Sequence, residues 1–367
     1  MNETEKQTNQ TEFERLKEIV CEHFQIEEAL IEHNIPTFYL KQPQETKQAF
    51  LKLLKKLGQT NLMAFLRRSD GRVVLRIFPK QPSKPSSVLV NWLLLFATVG
   101  TTFAAGYLQS AGFTDPLIGG AAFTVAVMAV LGMHEMGHKL TADVEGVEAT
   151  PPYFIPGPPP LGTFGAVIMQ KSLPLNKDSL FDIGASGPLF GFLVAIVATI
   201  IGLPYSSYNW VSEGTPTLPA PLFFRLFAEF LLPPAPTNGY KPGYMLVVML
   251  HPVAFAGWIG FFVTMLNLLP AAMLDGGHVA RSLFSERIRS ILTMLSIIFL
   301  VFVSWPMAIF VLFMSMFRHP GPLDDVSDLS RSRKIFLGVL VVIFILSSPL
   351  YDLFYSLVNF LRWLFGA

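Results

Sequence analysis

Apolar positions are spaced in two ways along this chain. Up to about residue 80 they alternate with charged ones at short periods. Phe13, Leu16, Ile19 and Val20 recur at helical spacing, TFYL (37–40) reads as a strand, and KQAFLKLLKKLG (47–58) is an amphipathic helix that Gly58 stops. MAFLRRSDGRVVLRIF (63–78) has two apolar-rich arms around Asp70 and Gly71, a dipeptide that suits a type I′ turn, so a hairpin is expected there. Residues 1–85 are therefore read as a small soluble α+β domain, a helix followed by a βαββ unit, with PKQPSKPSS (79–87) as linker.

Beyond the linker the alternation gives way to uncharged runs at about 86–108, 116–133, 183–203, 242–274, 290–317 and 335–351. All but the last reach the roughly 18 to 20 residues that cross a bilayer as a helix, and the last can extend through Leu353 to Leu361. The run 290–317 would make about 42 Å of helix, yet Trp305 and Pro306 interrupt it, so it is one kinked span or two short ones. The expectation is a polytopic α-helical membrane protein of about 6 to 8 spans, with 86–367 as the multi-span domain and the lipid bilayer as its surroundings.

Composition agrees, with 51% hydrophobic and 14% charged residues in 367. A net charge of +1, with charges clustered between apolar runs, argues against nucleic acid as a partner. The single cysteine, Cys21, excludes a disulfide within the chain and reads as an inert thiol. The glutamate-rich N-terminus shows neither a signal-peptide core nor a transit-peptide composition. Basic residues set the orientation: Arg67, Arg68, Arg72, Arg76, Lys80 and Lys84 stand against Asp70, which places the N-terminal domain in the cytoplasm. Parity then puts SAGFTDP (109–115) outside and 139–181 and 281–289 inside. The loop RHPGPLDDVSDLSRSRK (318–334) is cytoplasmic only if 290–317 makes two spans.

Against this apolar background HEMGH (134–138) stands out, near the cytoplasmic end of the second run. On a helix His134 and His138 share one face and can hold one Zn²⁺, while Glu135 faces the attacking water. Ionisable groups within a span are costly, which favours a function over a chance cluster. A catalytic zinc site needs a third protein ligand. Asp275, in NLLPAAMLDGGH (267–278), is the only acid between Glu229 and Glu286, and parity returns it to the side of His134. Pro270 should break the helix, and Gly276 and Gly277 should let the chain turn so that the carboxylate points into the bundle.

The two motifs together resemble the site-2 protease family of intramembrane zinc metalloproteases, with HExxH in one span and an N-x-x-P-x-x-x-L-D-G-G type sequence in a later one. The resemblance covers roughly 86–360 and is closest to the branch with a soluble N-terminal domain and no PDZ insertion, which has archaeal, bacterial and plastid members. It implies zinc on His134, His138 and Asp275, Glu135 as general base, and Asn267 helping to position the substrate peptide. The proline-rich segment 150–172 is similar to the family's re-entrant loop or β-ribbon, with Gly162, Thr163, Phe164 and Gly165 as its substrate-binding core. FDIGASGPLFGF (181–192) is similar to a closely packed family span.

The implied activity is hydrolysis of peptide bonds within or near the transmembrane segments of single-span membrane proteins, as in regulated intramembrane proteolysis. The implied location is a prokaryotic cell membrane with the active site toward the cytoplasm. A metal-binding transporter, a non-catalytic family scaffold and a membrane zinc protease with a glutamate ligand are the competing readings. Of the other histidines, His251 reads as packed or capping, His278 as a neighbour of the ligands, and His319 as solvated.

Overall fold

The computed structural model describes residues 3–80, 86–236, 239, 242–317, 319–352 and the single positions 354, 358 and 362. The linker residues 81–85 and most of 353–361 lie outside the described residues.

The N-terminal region runs α1 (Glu3–Cys21), β1 (Ile26–Glu32), β2 (Ile35–Leu40), α2 (Lys47–Gly58), β3 (Leu62–Ser69) and β4 (Arg72–Pro79). The four strands form one antiparallel sheet in the order β1-β2-β4-β3. The predicted hairpin is present, with Asp70 and Gly71 at φ 50° and 79° as a type I′ turn requires. The predicted βαββ unit is incomplete, because β1 pairs with β2 through a second tight turn at His33 and Asn34, also at positive φ. That strand is missed because it is an edge strand with Glu27 and Glu28 exposed, and its turn carries no glycine. Phe38, Phe50, Leu53, Leu57, Leu66 and Leu75 are fully buried between sheet and helices.

Then follow α3 (Val88–Gln109), α4 (Pro116–Val144), β5 (Tyr153–Pro156), β6 (Thr163–Val167), α5 (Lys177–Gly202), β7 (Ser207–Ser212), α6 (Leu222–Leu231), β8 (Tyr244–Met249), α7 (Pro252–Leu268), α8 (Asp275–Leu283), α9 (Glu286–Val303), α10 (Trp305–Ser315) and α11 (Arg331–Ser347). Three stretches, Val88–Gln109, Pro116–Val144 and Lys177–Tyr205, are long and apolar enough to cross a membrane, and α7 and α10 are apolar but shorter.

Two apolar runs divide differently from the expectation. The run 242–274 is not one span: Tyr244–Met249 pairs with β7 as a strand, His251 caps α7 by accepting from Val253 N–H at 3.3 Å, and the helix stops at Leu268. The preceding Pro252 occupies the first turn, where its missing N–H costs nothing. The run 290–317 is two helices broken at Ser304, and their outer ends, Arg289 and Ser290 on α9 and Leu312 and Ser315 on α10, line one cavity of about 350 Å³. The chain thus returns to the end it left, and residues 319–330 lie beside α8.

The β5–β6 hairpin lies along α3. Asn91 Nδ2 donates to Pro152 O at 3.1 Å, Thr101 Oγ1 to Gly162 O at 2.7 Å, and Gln109 Nε2 to Pro160 O at 2.7 Å. Asn91 and Gln109 stand about 27 Å apart on a straight helix, so the hairpin follows nearly the whole span. Helices α4, α5 and α7 form the centre and approach closely through small residues. A Cβ on Gly137 would stand 2.8 Å from Ser186 O, and one on Gly260 2.8 Å from Val130.

Candidate metal centre

HEMGH does not end its helix. Asp115 opens α4 by accepting from Leu117 and Ile118 N–H, and the helix continues to Val144, so His134, Glu135 and His138 are buried inside it. His134 and His138 lie one turn apart on the face toward α5. Asp275 arrives from α8 and completes a trio, with Asp275 Oδ2 3.2 Å from each Nε2 and the two Nε2 atoms 3.3 Å apart.

These distances fit a divalent metal. A tetrahedral zinc ion with bonds of 2.0 to 2.1 Å has ligand atoms about 3.3 Å apart. His138 Nδ1–H donates to Ile183 O at 2.7 Å, which fixes the tautomer and leaves Nε2 with its lone pair toward the trio. Three lone-pair donors converging in a buried site repel one another unless a cation lies among them. Among the described residues His134, His138 and Asp275 form the group that could hold a metal ion, their donor atoms all within 4.8 Å.

The cradle around the rings is made by glycines on α5 that sequence analysis assigned only to packing. A Cβ on Gly187 would overlap the His138 ring at Nε2 itself, and one on Gly191 would stand 3.0 Å from His134 Nδ1. Their spacing of four in GASGPLFG was the available signal, since it puts both on one helical face. Gly276 and Gly277 also act differently from the expectation. They are helical, not turn residues, and are needed because any Cβ there would run into the carbonyls of Leu268 and Ala272. The turn itself falls on Ala272, at φ 47°.

Other predicted residues are placed as follows. Asn267 Nδ2 lies 3.2 Å from His134 Nε2, which sets its amide at the edge of the trio. Glu135 Oε2 accepts from Ile168 N–H at 2.8 Å, directly after β6, so the hairpin and the carboxylate are linked. Gly162 is pressed against the α3 backbone, 2.6 Å from Thr102 Cα if it carried a Cβ, and the buried Thr163 donates to Ile155 O at 2.8 Å. Phe164 is 73% exposed and Gly165 has φ 107°, on a strand that pairs with β5 on one side. His319 is not solvated: its Nε2 is 2.7 Å from His278 Nδ1. Burial, with His278, Arg281 and Arg289 nearby, pushes its pKa down to about 3.

A buried HExxH helix facing a carboxylate on a second helix, inside a bundle of membrane-length helices, defines a membrane protein with a metal site and an adjacent carboxylate. Residues 122–303 match the pattern of peptidase family M50, and this part of the chain is a family M50 domain, the site-2 protease type that its two motifs resemble. The chain is 33% identical over 233 residues to "Probable zinc metalloprotease EGY1, chloroplastic" of Oryza sativa subsp. japonica, covering 62% of this chain and 40% of the relative. It is 25% identical over 320 residues to the protein of the same name from Arabidopsis thaliana, covering 78% and 58%. With "Probable zinc metalloprotease EGY2, chloroplastic" of Oryza sativa subsp. indica it shares 25% identity over 323 residues, covering 80% and 56%. The chain thus spans about half the length of these curated relatives. No solved structure matches it.

Proposed function

We propose that this protein is an intramembrane zinc metalloprotease that hydrolyses peptide bonds within or near the membrane-spanning segments of single-span substrates. The observation that carries this reading is the trio of donors 3.2 to 3.3 Å apart, with Glu135 next to one of them in the chain and buried beside it. Bound zinc would supply Lewis acidity toward the scissile carbonyl and acidify the attacking water. Glu135 accepts the proton of that water and returns it to the leaving amine nitrogen, so that one carboxylate serves both halves of the hydrolysis. Asn267 directs its amide at the site and holds a substrate carbonyl there. The free edge of β6, with Phe164 and Gly165, pairs with a substrate segment that has left its helix and needs new backbone partners. Gly162 and Thr163 support that edge from behind.

In this reading residues 1–85 form a cytoplasmic domain and 86–367 the protease domain. Helices α3, α4, α5, α7 and α11 cross the membrane, and α9 and α10 form a hairpin within it. Two features support this: the N-terminal sheet, α8 and residues 319–330 meet at one end of the bundle, and the basic residues gather there. The membrane proposed is a prokaryotic cell membrane; the relatives named above are chloroplast proteins.

Glu135→Gln tests the reading. It preserves size and hydrogen bonding but removes basicity. Zinc content should stay near that of wild type, while cleavage of a fluorescent single-span substrate in detergent should fall about 10²- to 10⁴-fold. Equal cleavage by both proteins at equal zinc would sink the mechanism, and zinc binding without cleavage in the wild type would favour a transporter or scaffold.

A further inference from the structure

The helix that carries Asp275 is held from outside the metal centre. Residues 319–330, between α10 and α11, touch α8 at two points. The Asp325 carboxylate accepts from both Arg281 Nη atoms, at 2.9 and 2.6 Å. His319 Nε2 donates to His278 Nδ1 at 2.7 Å, and Gly321 N–H donates to His319 Nδ1 at 3.0 Å, which leaves the proton on Nε2 and fixes the direction of the pair. His278 and Arg281 are three residues apart and so share a face of α8. The helix also lies against α5, where a Cβ on Gly184 would stand 2.9 Å from Asp275 O. A nine-residue helix is thus held between α5 and this loop.

The loop is itself anchored to the N-terminal sheet. Leu66 N–H donates to Leu323 O at 2.9 Å and Asp325 N–H to Leu66 O at 3.1 Å, so residues 323–325 add to the β3 edge. On their other side Leu323 and Asp324 N–H donate to Pro174 O and Leu175 O at 2.8 and 3.0 Å. Leu323 is buried in the N-terminal core, with Leu173, Leu175 and Val326 packed around it. The sheet's hydrophobic core is therefore completed by residues that follow the bundle helices in sequence.

We propose that His319 and Asp325 are positioning residues for the metal donor Asp275, acting through α8, and that the N-terminal sheet sets this position by gripping residues 323–325. The proposal rests on Asp275 being a metal donor. Its physical basis is leverage: Asp275 is the first residue of α8, and a short helix tilts as a unit when one side is released. A change at the N-terminal sheet, such as a partner displacing the loop from β3, then alters the metal site without touching it. This gives residues 1–85 a regulatory role.

The test uses full-length protein in detergent loaded with Zn²⁺ or Co²⁺. His319→Ala and Asp325→Ala should lose zinc to excess chelator about 10-fold faster or more, the usual scale for residues that support a metal ligand. At saturating cobalt both should show shifted visible bands at unchanged helical content. Asp325→Glu, which keeps the ion pair, should return both readouts toward wild type. Leu323→Ala, which loosens only the sheet end, should speed zinc release by a smaller factor. Asp275→Ala separates the two readings. If it keeps tight stoichiometric zinc, the donor assignment fails. If it loses zinc while His319→Ala and Asp325→Ala keep wild-type release rates and spectra, the donor stands and the positioning proposal is overturned. Loss of the cobalt spectrum together with helical content would also overturn it, since the residues would then be merely structural.

Discussion

The N-terminal core and the helices around the metal trio meet their neighbours in different ways. In the first, Phe38, Phe50, Leu53 and Leu57 fill the space between sheet and helices with large side chains. In the second, Phe123, Phe181 and Phe261 are also fully buried, but the helices around the metal trio meet at Gly137, Gly184, Gly187, Gly191, Gly257 and Gly260, where side chains are excluded so that backbones and imidazoles can touch. With the N-terminal domain in water and the bundle in the membrane, as proposed above, water makes the difference. A soluble core is stabilised by taking apolar area out of water, whereas helices already in lipid gain only by closer contact and by satisfied polar groups. In the first region, then, a side chain removed is the main damage, and in the second a methyl added.

Gly187→Ala should break the comparison most sharply. The new methyl would overlap His138 Nε2, so the ring must leave the trio, and metal affinity should fall by about 100-fold or more. Equilibrium dialysis against zinc at fixed free metal measures this; wild-type affinity in that variant would remove the glycine cradle from the account.

The converse change is Leu53→Ala, which should cost about 2 to 5 kcal/mol in the N-terminal core. Even the lower bound is about a 30-fold loss of hydrogen-exchange protection at the β2 and β4 amides. Protection retained in full would mean that this core tolerates a cavity as readily as the bundle tolerates a glycine.

A third effect lies where the two regions meet, at His319. Its folded pKa of about 3 lies below the unfolded value near 6.5, so between these pH values the unfolded chain binds the extra proton. The associated stability is fully present above about pH 6.5 and is lost as the pH falls toward 3. Melting temperatures from pH 7 to 4 should therefore fall more steeply for wild type than for His319→Gln, and parallel curves would show that this histidine is free to take a proton in the fold.

Much of the molecule was legible in the chain order of its residues. The helix 47–58, the Asp70–Gly71 hairpin and the first three membrane-length helices follow from periodicity and from runs of apolar residues, both local properties. Local patterns failed where a neighbour decided the outcome. Tyr244–Met249 is as apolar as a span but is a strand, because β7 offers it a hydrogen-bonding edge and Pro252 starts the helix afresh. The strand 26–32 has little alternation because one edge of it meets solvent.

At the metal site the donor residues and their spacing are properties of the sequence: two histidines four apart must share a helical face, and a lone acid in an apolar stretch needs a partner. Their meeting at 3.2 to 3.3 Å was decided only in three dimensions, by glycines on α5 that let the rings in and by the packing of α8 against α5 at Gly184, which no local rule specifies. The grip of residues 319–325 on that helix belongs wholly to the tertiary structure. It joins Leu66, Leu175, Arg281 and Leu323, residues far apart in sequence whose individual surroundings read as strand, loop and helix end, and only the folded chain brings the backbone groups of the leucines and the Arg281 guanidinium within hydrogen-bonding distance of their partners.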